Sequence, residues 1–473
     1  MPSSILDTIL DSRKARRSEE RSHVLQLTGG RRQRPLNSFF SNSGLICELK
    51  RSSPSRGVIN QEESLGDILK DYIRGGAHRI SILTESSRFC GSCDDLFTLA
   101  RSHPNYAFLR KDFLYCTDDI RESYLLGADA VLLIAEMLDP DTLGKLTAEA
   151  RTTGLGVLTE AHSEQQAQKV MDAEVLPDAL GINSRDLGSF RVNPLIPYMC
   201  APRFIPQIPV VLESGVTHAS EAFQAGNSGL HGMLIGSRLM ETPHVMRTAL
   251  VSSFASQFSL GSSSAPSLIT KLFARFRSPK PLVKICGITT LADAELCARE
   301  GADMLGFILA RSKRSIDPSS LKDFAHLDIL KIAVVCDPDE AQLSLLDDLH
   351  KGEIIDGVQF HGSEPPGMLD RFPGSALKAV TITRTHDIHD HPYGPFVLYD
   401  LPKGGQHCYT DEQLMQLDRR LIAGGITPDT LSHVLDTASP LLVDIASGVE
   451  SSPGRKDPKK VRELFSLLEH RYG

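Results

Sequence analysis

Apolar residues in this chain come as short runs, in the first half nearly all closed by a polar residue, and the first eight end near Lys50, Glu85, Lys111, Glu136, Glu160, Asn183, Glu213 and Gly236. Segments long enough for a helix lie between most of them, for instance Ser64 to Gly75, Thr117 to Leu126, Asp141 to Thr153 and Ser163 to Ala173. Eight strand-helix repeats are the count of a closed (β/α)8 barrel, with an open doubly wound sheet as the alternative. Ahead of the first run, Ile5, Leu6, Ile9 and Leu10 follow Ser3 and Ser4 at helical spacing. That spacing predicts a lead-in helix covering a barrel end.

The pattern restarts at Leu282-Val-Lys-Ile-Cys-Gly-Ile-Thr-Thr290. An apolar strand stops at Cys286 and Gly287, and Thr290 with Asp293 makes a capping-box-like helix start. Further runs end near Leu309, Val335, Phe360, Val380, Asp400, Ala423 and Ala446, again eight in all. The predicted fold class is therefore α/β: two consecutive (β/α)8 TIM barrels, the first with an extra N-terminal helix. The expected domains are residues 1–258 and 281–473. The Ser-rich stretch 259–280 between them predicts a linker, flexible near Gly261 and helical near Leu268 to Phe276.

A length of 473 residues suits two such barrels. The net charge of -8 is spread over mixed signs and leaves no footprint for nucleic acid. Arg13, Lys14, Arg16, Arg17, Arg21, Arg31, Arg32 and Arg34 crowd the N-terminus, but Asp7, Asp11, Glu19 and Glu20 are interleaved, which predicts a solvated helix face and loop. No apolar stretch is long enough to cross a membrane, and the first residues lack the apolar core of a signal peptide. Nine cysteines, an odd number over a long chain, suit a reducing cytoplasm. Cys90-Gly-Ser-Cys93 has no second pair, and His386-Asp-Ile-His-Asp-His391 falls in a connecting segment, so neither is read as a metal site.

The candidate chemistry lies where the strands end. In the first half Glu48, Lys50, Lys111, Glu160, Asn183 and Glu213 recur around one rim, where unpaired buried charge would be costly unless it served a site. Facing lysines and carboxylates shift one another's pKa values, as acid and base roles require. Glu213-Ser214-Gly215 and Gly236-Ser237 follow the seventh and eighth runs, the usual phosphate loops of such barrels. The second half repeats that anchor with Gly424-Gly425 and Ser447-Gly448, but its rim carries Cys286, Arg314, Gln359, His361, Asp400 and Asp444. A thiol and a carboxyl group across a pocket make a base and acid pair.

Several strings then carry a family likeness. Glu48-Leu-Lys-Arg-Ser-Ser-Pro-Ser55, Leu109-Arg-Lys-Asp-Phe113, Thr159-Glu160, Gly181-Ile-Asn-Ser-Arg-Asp-Leu187 and Glu213-Ser-Gly-Val216 resemble the successive motifs of indole-3-glycerol phosphate synthase. The resemblance implies ring closure of 1-(2-carboxyphenylamino)-1-deoxyribulose 5-phosphate with loss of carbon dioxide and water. By the same resemblance Lys111 would be the general acid, Glu160 the general base and Lys50 the partner of the anthranilate carboxylate. Glu48, Asn183 and Glu213 would position these groups and the hydroxyls, and Arg185 and Phe113 would help orient substrate. Ser53, Ser214, Gly215, Gly236 and Ser237 would hold the phosphate.

From about Pro281 onward the chain resembles phosphoribosylanthranilate isomerase, on Val283-Lys-Ile-Cys-Gly-Ile-Thr289, Val358-Gln-Phe-His-Gly362, Leu398-Tyr-Asp400, Ala423-Gly-Gly-Ile426 and Asp444-Ile-Ala-Ser-Gly-Val-Glu450. What this implies is an Amadori rearrangement of N-(5-phosphoribosyl)anthranilate, with Cys286 as general base, Asp400 as general acid and Arg314 clamping the anthranilate carboxylate. Gln359, His361 and Asp444 would line the substrate, and Gly404, Gly405, Gly424, Gly425, Ser447 and Gly448 the phosphate. Lys313 stands where that family usually has Pro, and Lys403-Gly-Gly-Gln-His407 departs from its usual glycine-rich string. The expectation is a cytoplasmic, monomeric tryptophan-biosynthesis enzyme that needs neither cofactor nor metal and binds small anthranilate-derived phosphosugars, with no nucleic acid or membrane partner. Barrels and phosphate loops alone would also fit a pair of phosphosugar enzymes with other substrates.

Overall fold

The computed structural model describes residues 5–53, 57–59, 63–185, 192–382, 392–401 and 409–473. The chain divides into two compact units, Met1–Ser263 and Ser264–Gly473. In the first, eight parallel strands close on themselves: β1 (Gly44–Leu49), β2 (Arg79–Leu83), β3 (Ala107–Lys111), β4 (Ala130–Ile134), β5 (Gly156–Ala161), β6 (Ala179–Asn183), β7 (Val210–Glu213) and β8 (Gly232–Ile235). The barrel closes by pairing Gly44 with Gly232 and Cys47 with Ile80. In the second unit β9 (Leu282–Cys286), β10 (Met304–Ile308), β11 (Leu330–Val335), β12 (Gly357–Phe360), β13 (Ala376–Thr381), β14 (Val397–Asp400), β15 (Leu421–Ala423) and β16 (Leu442–Ile445) do the same, with β9 paired to β16. Both units are (β/α)8 barrels.

The connecting helices obey local rules. Ser64 caps Leu65–Arg74, Asp139 caps Pro140–Thr153 and Ser163 caps Glu164–Met171, each accepting a hydrogen bond from a first-turn backbone N–H. Thr290 caps Leu291–Glu300 by accepting from the N–H of Asp293, as the spacing predicts. Apolar side chains on both faces make the strands nearly continuous hydrophobic runs, as a barrel enclosed by helices requires. In the first barrel Ile46, Leu109, Leu132, Leu158, Val211 and Leu234 belong to one buried cluster.

Two expectations need correction. Lys14, Arg21 and Arg31 are exposed as expected, but Arg13 and Arg34 are buried and Arg17 and Arg32 are partly so. The lead-in helix extends over Ile5–Thr28, and Arg13, only 2% exposed, pairs with Asp112 at 2.5 Å and Asp119 at 3.1 Å. Arg17 makes two bonds to Glu122, and Arg32 and Arg34 both grip Asp129. A mixed-charge pattern cannot say which charges face a partner far along the chain, and here the partners are about a hundred positions away. Nor is Gly261 in irregular chain. It lies inside the helix His244–Ser263, buried where any side chain would strike the backbone of Phe223.

The helix near Leu268 does form, as Leu268–Arg275, capped by Ser267. Its apolar face belongs to the second barrel. Leu268 covers Gly357 at the start of β12, its N–H donates to Ser375 Oγ, and Lys271 pairs with Asp356.

Candidate active sites

In the first barrel the rim residues named from sequence converge. Lys111, ending β3, places Nζ 2.7 Å from Glu160 Oε2 on β5 and 2.8 Å from Glu213 Oε2 on β7. Glu48 and Lys50, at the end of β1, pair at 2.8 Å. Missing side chains make room for these contacts. A Cβ on Gly181 would collide with the Glu213 carboxylate, and one on Gly236 would collide with Glu48 and Lys50.

The charges in this cluster hold each other in place. Burial disfavours the charged Lys111, but Glu160 and Glu213 outweigh it and keep the ammonium protonated far above its usual range. Burial would likewise protonate Glu160, yet Lys111 and His162 hold it well below the carboxylate range. Glu48 is held below that range too, burial being overcome by Lys50 and Lys111. Glu213 goes the other way. Buried, and repelled by Glu160, its carboxyl is pushed up to about 8 in spite of Lys111. One lysine between two carboxylates thus separates an anion from a readily protonated neighbour, the asymmetry that acid–base sites need.

The remaining first-barrel candidates lie at or just beyond strand ends. Asn183 Oδ1 accepts from the N–H of Arg185. Phe113 is buried with its ring 6.2 Å from that of Phe89. Ser53 pairs with Gly57 in a short antiparallel ribbon beyond β1. Ser214 and Gly215 follow β7 with φ of +64° and +83°, which turns the backbone sharply over the rim. Gly236 precedes the short helix Ser237–Glu241 after β8.

The second rim gathers a different set. Cys286 ends β9, and two residues back Lys284, fully buried, places Nζ 2.7 Å from Asp444 Oδ2 on β16. A Cβ on Gly306 of β10 would lie 2.7 Å from Cys286 Sγ and 3.0 Å from Lys284 Nζ, so thiol and ammonium crowd one point. Burial pushes the Cys286 thiol up, and the Lys284 charge works against that rise. At the end of β14, Asp400 Oδ2 stands 3.3 Å from His361 Nε2, and Gln359 Nε2 lies 3.4 Å from His361 Nδ1. Gly424, at φ +83°, sits where any side chain would strike Asp400.

Gly425 has φ +67°, and Ser447 and Gly448 form a turn after β16 in which a Gly448 side chain would strike Ile426. Gly404 and Gly405 lie outside the described residues, as does the histidine tract 386–391. Arg314 is not left open. Its guanidinium donates to both oxygens of Glu450 at 2.8 to 2.9 Å. Among the described residues, the buried polar atoms with no protein partner include Glu213 Oε1 and Ser184 Oγ at one rim and Gln359 Oε1 and Asp444 Oδ1 at the other.

Comparison with known proteins fits this geometry. Residues 10–250 match the indole-3-glycerol phosphate synthase family, and residues 283–466 match the N-(5'-phosphoribosyl)anthranilate isomerase family. The chain belongs to both families. Two domains of tryptophan biosynthesis, a synthase and an isomerase, are fused in one polypeptide.

The synthase of Geobacillus kaustophilus is 37% identical over 43% of this chain and 78% of its own length. The tryptophan biosynthesis protein TrpCF of Yersinia pestis is 28% identical over 89% of this chain and 84% of that protein. A multifunctional tryptophan biosynthesis protein of Schizosaccharomyces pombe is 26% identical over 91% of this chain. This chain spans 60% of the length of that last relative.

Four residues at these sites escaped sequence reasoning: His162 in the synthase domain, and Lys284, Glu450 and Lys456 in the isomerase domain. His162 Nε2 is 3.1 Å from Glu160 Oε1. Lys456, buried, donates to the carbonyl of Cys286 at 2.6 Å and pairs with Glu450 at 3.1 Å. The period-two alternation of a strand was a usable signal for two of them, since His162 follows Glu160 and Lys284 precedes Cys286 by two positions, on the same face.

Proposed function

We propose that the two sites act in succession on one carbon skeleton. In the isomerase domain the Cys286 thiolate, beside the Lys284 ammonium, takes the proton from C2' of the phosphoribosyl sugar. Asp400, near His361, gives a proton to the ring oxygen and opens the furanose. Arg314 and Glu450 form the boundary at which the anthranilate carboxylate docks, and the glycine turns after β15 and β16 present backbone N–H groups to the phosphate.

In the synthase domain the product returns as substrate. Lys111, kept protonated, donates to the ribulose carbonyl oxygen as the aromatic carbon attacks it, and carbon dioxide then leaves. Glu160, kept anionic, takes the proton whose loss accompanies departure of water. Lys50 meets the carboxylate, Asn183 and Glu213 take the sugar hydroxyls, and the loops at Ser214–Gly215 and Gly236–Ser237 hold the phosphate. The unpartnered oxygens of Glu213, Gln359 and Asp444 suit hydroxyl donors of a polyhydroxylated substrate, since buried acceptors without donors are otherwise costly. The expected setting is a monomer in the cytoplasm, in keeping with an odd number of cysteines, nine, over a long chain.

The observation that carries this reading is the single ammonium of Lys111 within 2.8 Å of two carboxylates that differ in proton affinity. The full chain should convert N-(5-phosphoribosyl)anthranilate to indole-3-glycerol phosphate without added metal or nucleotide. Cys286→Ser should abolish the first step alone, and Lys111→Ala the second alone. Loss of both steps from either change in a folded chain would overturn the assignment of one site to each barrel.

A further inference from the structure

His162 stands next to the proposed synthase base in an arrangement that fixes its protonation. Its Nδ1 is 2.7 Å from the backbone carbonyl of Arg185. A carbonyl can only accept, so Nδ1 must carry a hydrogen. In the neutral ring Nε2 is then a bare lone pair. Yet Nε2 is 3.1 Å from Glu160 Oε1, at ion-pair distance though out of line for a full hydrogen bond, and makes no other one. Lone pair against carboxylate is repulsive, so one more proton must sit between Nε2 and Oε1.

The surroundings agree. The His162 side chain is 5% exposed and that of Glu160 4%, so water does little to screen the pair. Glu136, in the connection after β4, also adds negative charge near the ring. On the far side of Glu160, Lys111 of β3 holds Oε2, with Glu213 of β7 and Glu48 of β1 behind it. The remaining contact, from the N–H of His162 to Gln166, is neutral. Burial alone would lower the imidazole's proton affinity, and Glu160 more than reverses this.

We propose that His162 is a positioning residue for the synthase step: as an imidazolium it pins Oε1 of Glu160, so that Oε2 alone faces Lys111 and the substrate. When pH rises far enough to remove the Nε2 proton, Oε1 is repelled and the base loses its orientation. This inference rests on the proposed role of Glu160.

The test compares pH profiles of synthase kcat for the full chain on 1-(2-carboxyphenylamino)-1-deoxyribulose 5-phosphate. His162→Ala should lower kcat about 10- to 100-fold near neutral pH, as expected for leaving a buried carboxylate oxygen without its charged partner, with KM little changed. The ratio of wild-type to variant kcat should fall toward one as pH rises through the imidazolium titration. His162→Gln, which offers an N–H that does not titrate, should recover part of kcat with no such pH dependence. Circular dichroism and the unfolding midpoint of the first barrel in the same samples report whether the variants are folded. A wild-type kcat in His162→Ala, or a loss whose ratio does not change with pH, would overturn the proposal. Retained synthase activity in Lys111→Ala would instead overturn the reading of the site on which it rests.

Discussion

The guanidinium of Arg314 grips the carboxylate of Glu450 through Nε and an Nη at 2.8 to 2.9 Å. The residue that the isomerase resemblance marks for a substrate carboxylate is thus already oriented by one from its own chain. Glu450 is in turn held by Lys456 and by the N–H of Gly454, so the fork rests on a fixed support. A lysine at position 314 keeps the charge and loses the planar fork. Arg314→Lys is expected to raise the isomerase KM roughly 10-fold or more, the loss of one charge-assisted hydrogen bond, with kcat changed far less. Steady-state kinetics with N-(5-phosphoribosyl)anthranilate checks this, and synthase kinetics on the same sample should be unchanged.

Gly306 is the floor beneath the thiol. With Cys286 Sγ 2.7 Å and Lys284 Nζ 3.0 Å from where its Cβ would be, Gly306→Ala must displace one or both. A small misplacement at a reacting atom can cost about 100-fold in rate. Isomerase kcat should fall on that order while the far-ultraviolet circular dichroism spectrum and synthase activity stay as in the parent. An unchanged kcat would mean that thiol and ammonium need not be held together.

Arg13 ties the N-terminal helix to the residue after the proposed acid. It pairs with Asp112 and Asp119, both buried; Asp112 keeps Arg110 and Asp119 keeps Arg17 as second charged partners, so losing Arg13 costs about 1.5 to 3 kcal/mol, the worth of a charged hydrogen bond. Arg13→Ala should therefore lower the unfolding midpoint of the first barrel by roughly 2 to 4 °C for each kcal/mol lost. Synthase kcat should fall with it, because Asp112 adjoins Lys111. Scanning calorimetry together with synthase assays would test both statements.

Glu213 gives a pH dependence with a definite sign. Its carboxyl is pushed up to about 8 in the folded barrel, from an ordinary value of 4.5. A raised carboxyl favours the folded state most at low pH, below its unfolded value. That contribution is lost as pH climbs from about 4.5 through about 8, where the unfolded chain ionises more easily than the buried site. Glu213→Gln does not titrate, so its unfolding midpoint relative to the parent should rise between pH 5 and pH 8. A difference independent of pH would show that Glu213 is ionised in the resting barrel.

Much of this molecule could be read along the chain, and the reason is locality. Eight apolar runs, capped helix starts and turn glycines depend on neighbours a few residues away, so β3 ends at Lys111 and β14 at Asp400, as the pattern of runs predicts. The polar residues closing most first-half runs and several second-half ones are likewise visible, because a barrel strand buried on both sides has only its C-terminal end to offer a site. What one-dimensional order could not supply is which charges meet. Arg13 looked solvated until the fold brought Asp112 and Asp119 to it, and nothing along the chain showed that Glu450, well over a hundred residues on, closes against Arg314. The same holds for proton affinity. Glu160 and Glu213 are the same residue type at the same kind of strand end, and their separation into anion and readily protonated acid arises from burial around one shared lysine. Sequence alone determined the two barrels and the residues on their rims; tertiary structure decided the pairings, because Coulomb energy depends on distance and dielectric, and both are set only when the barrels close.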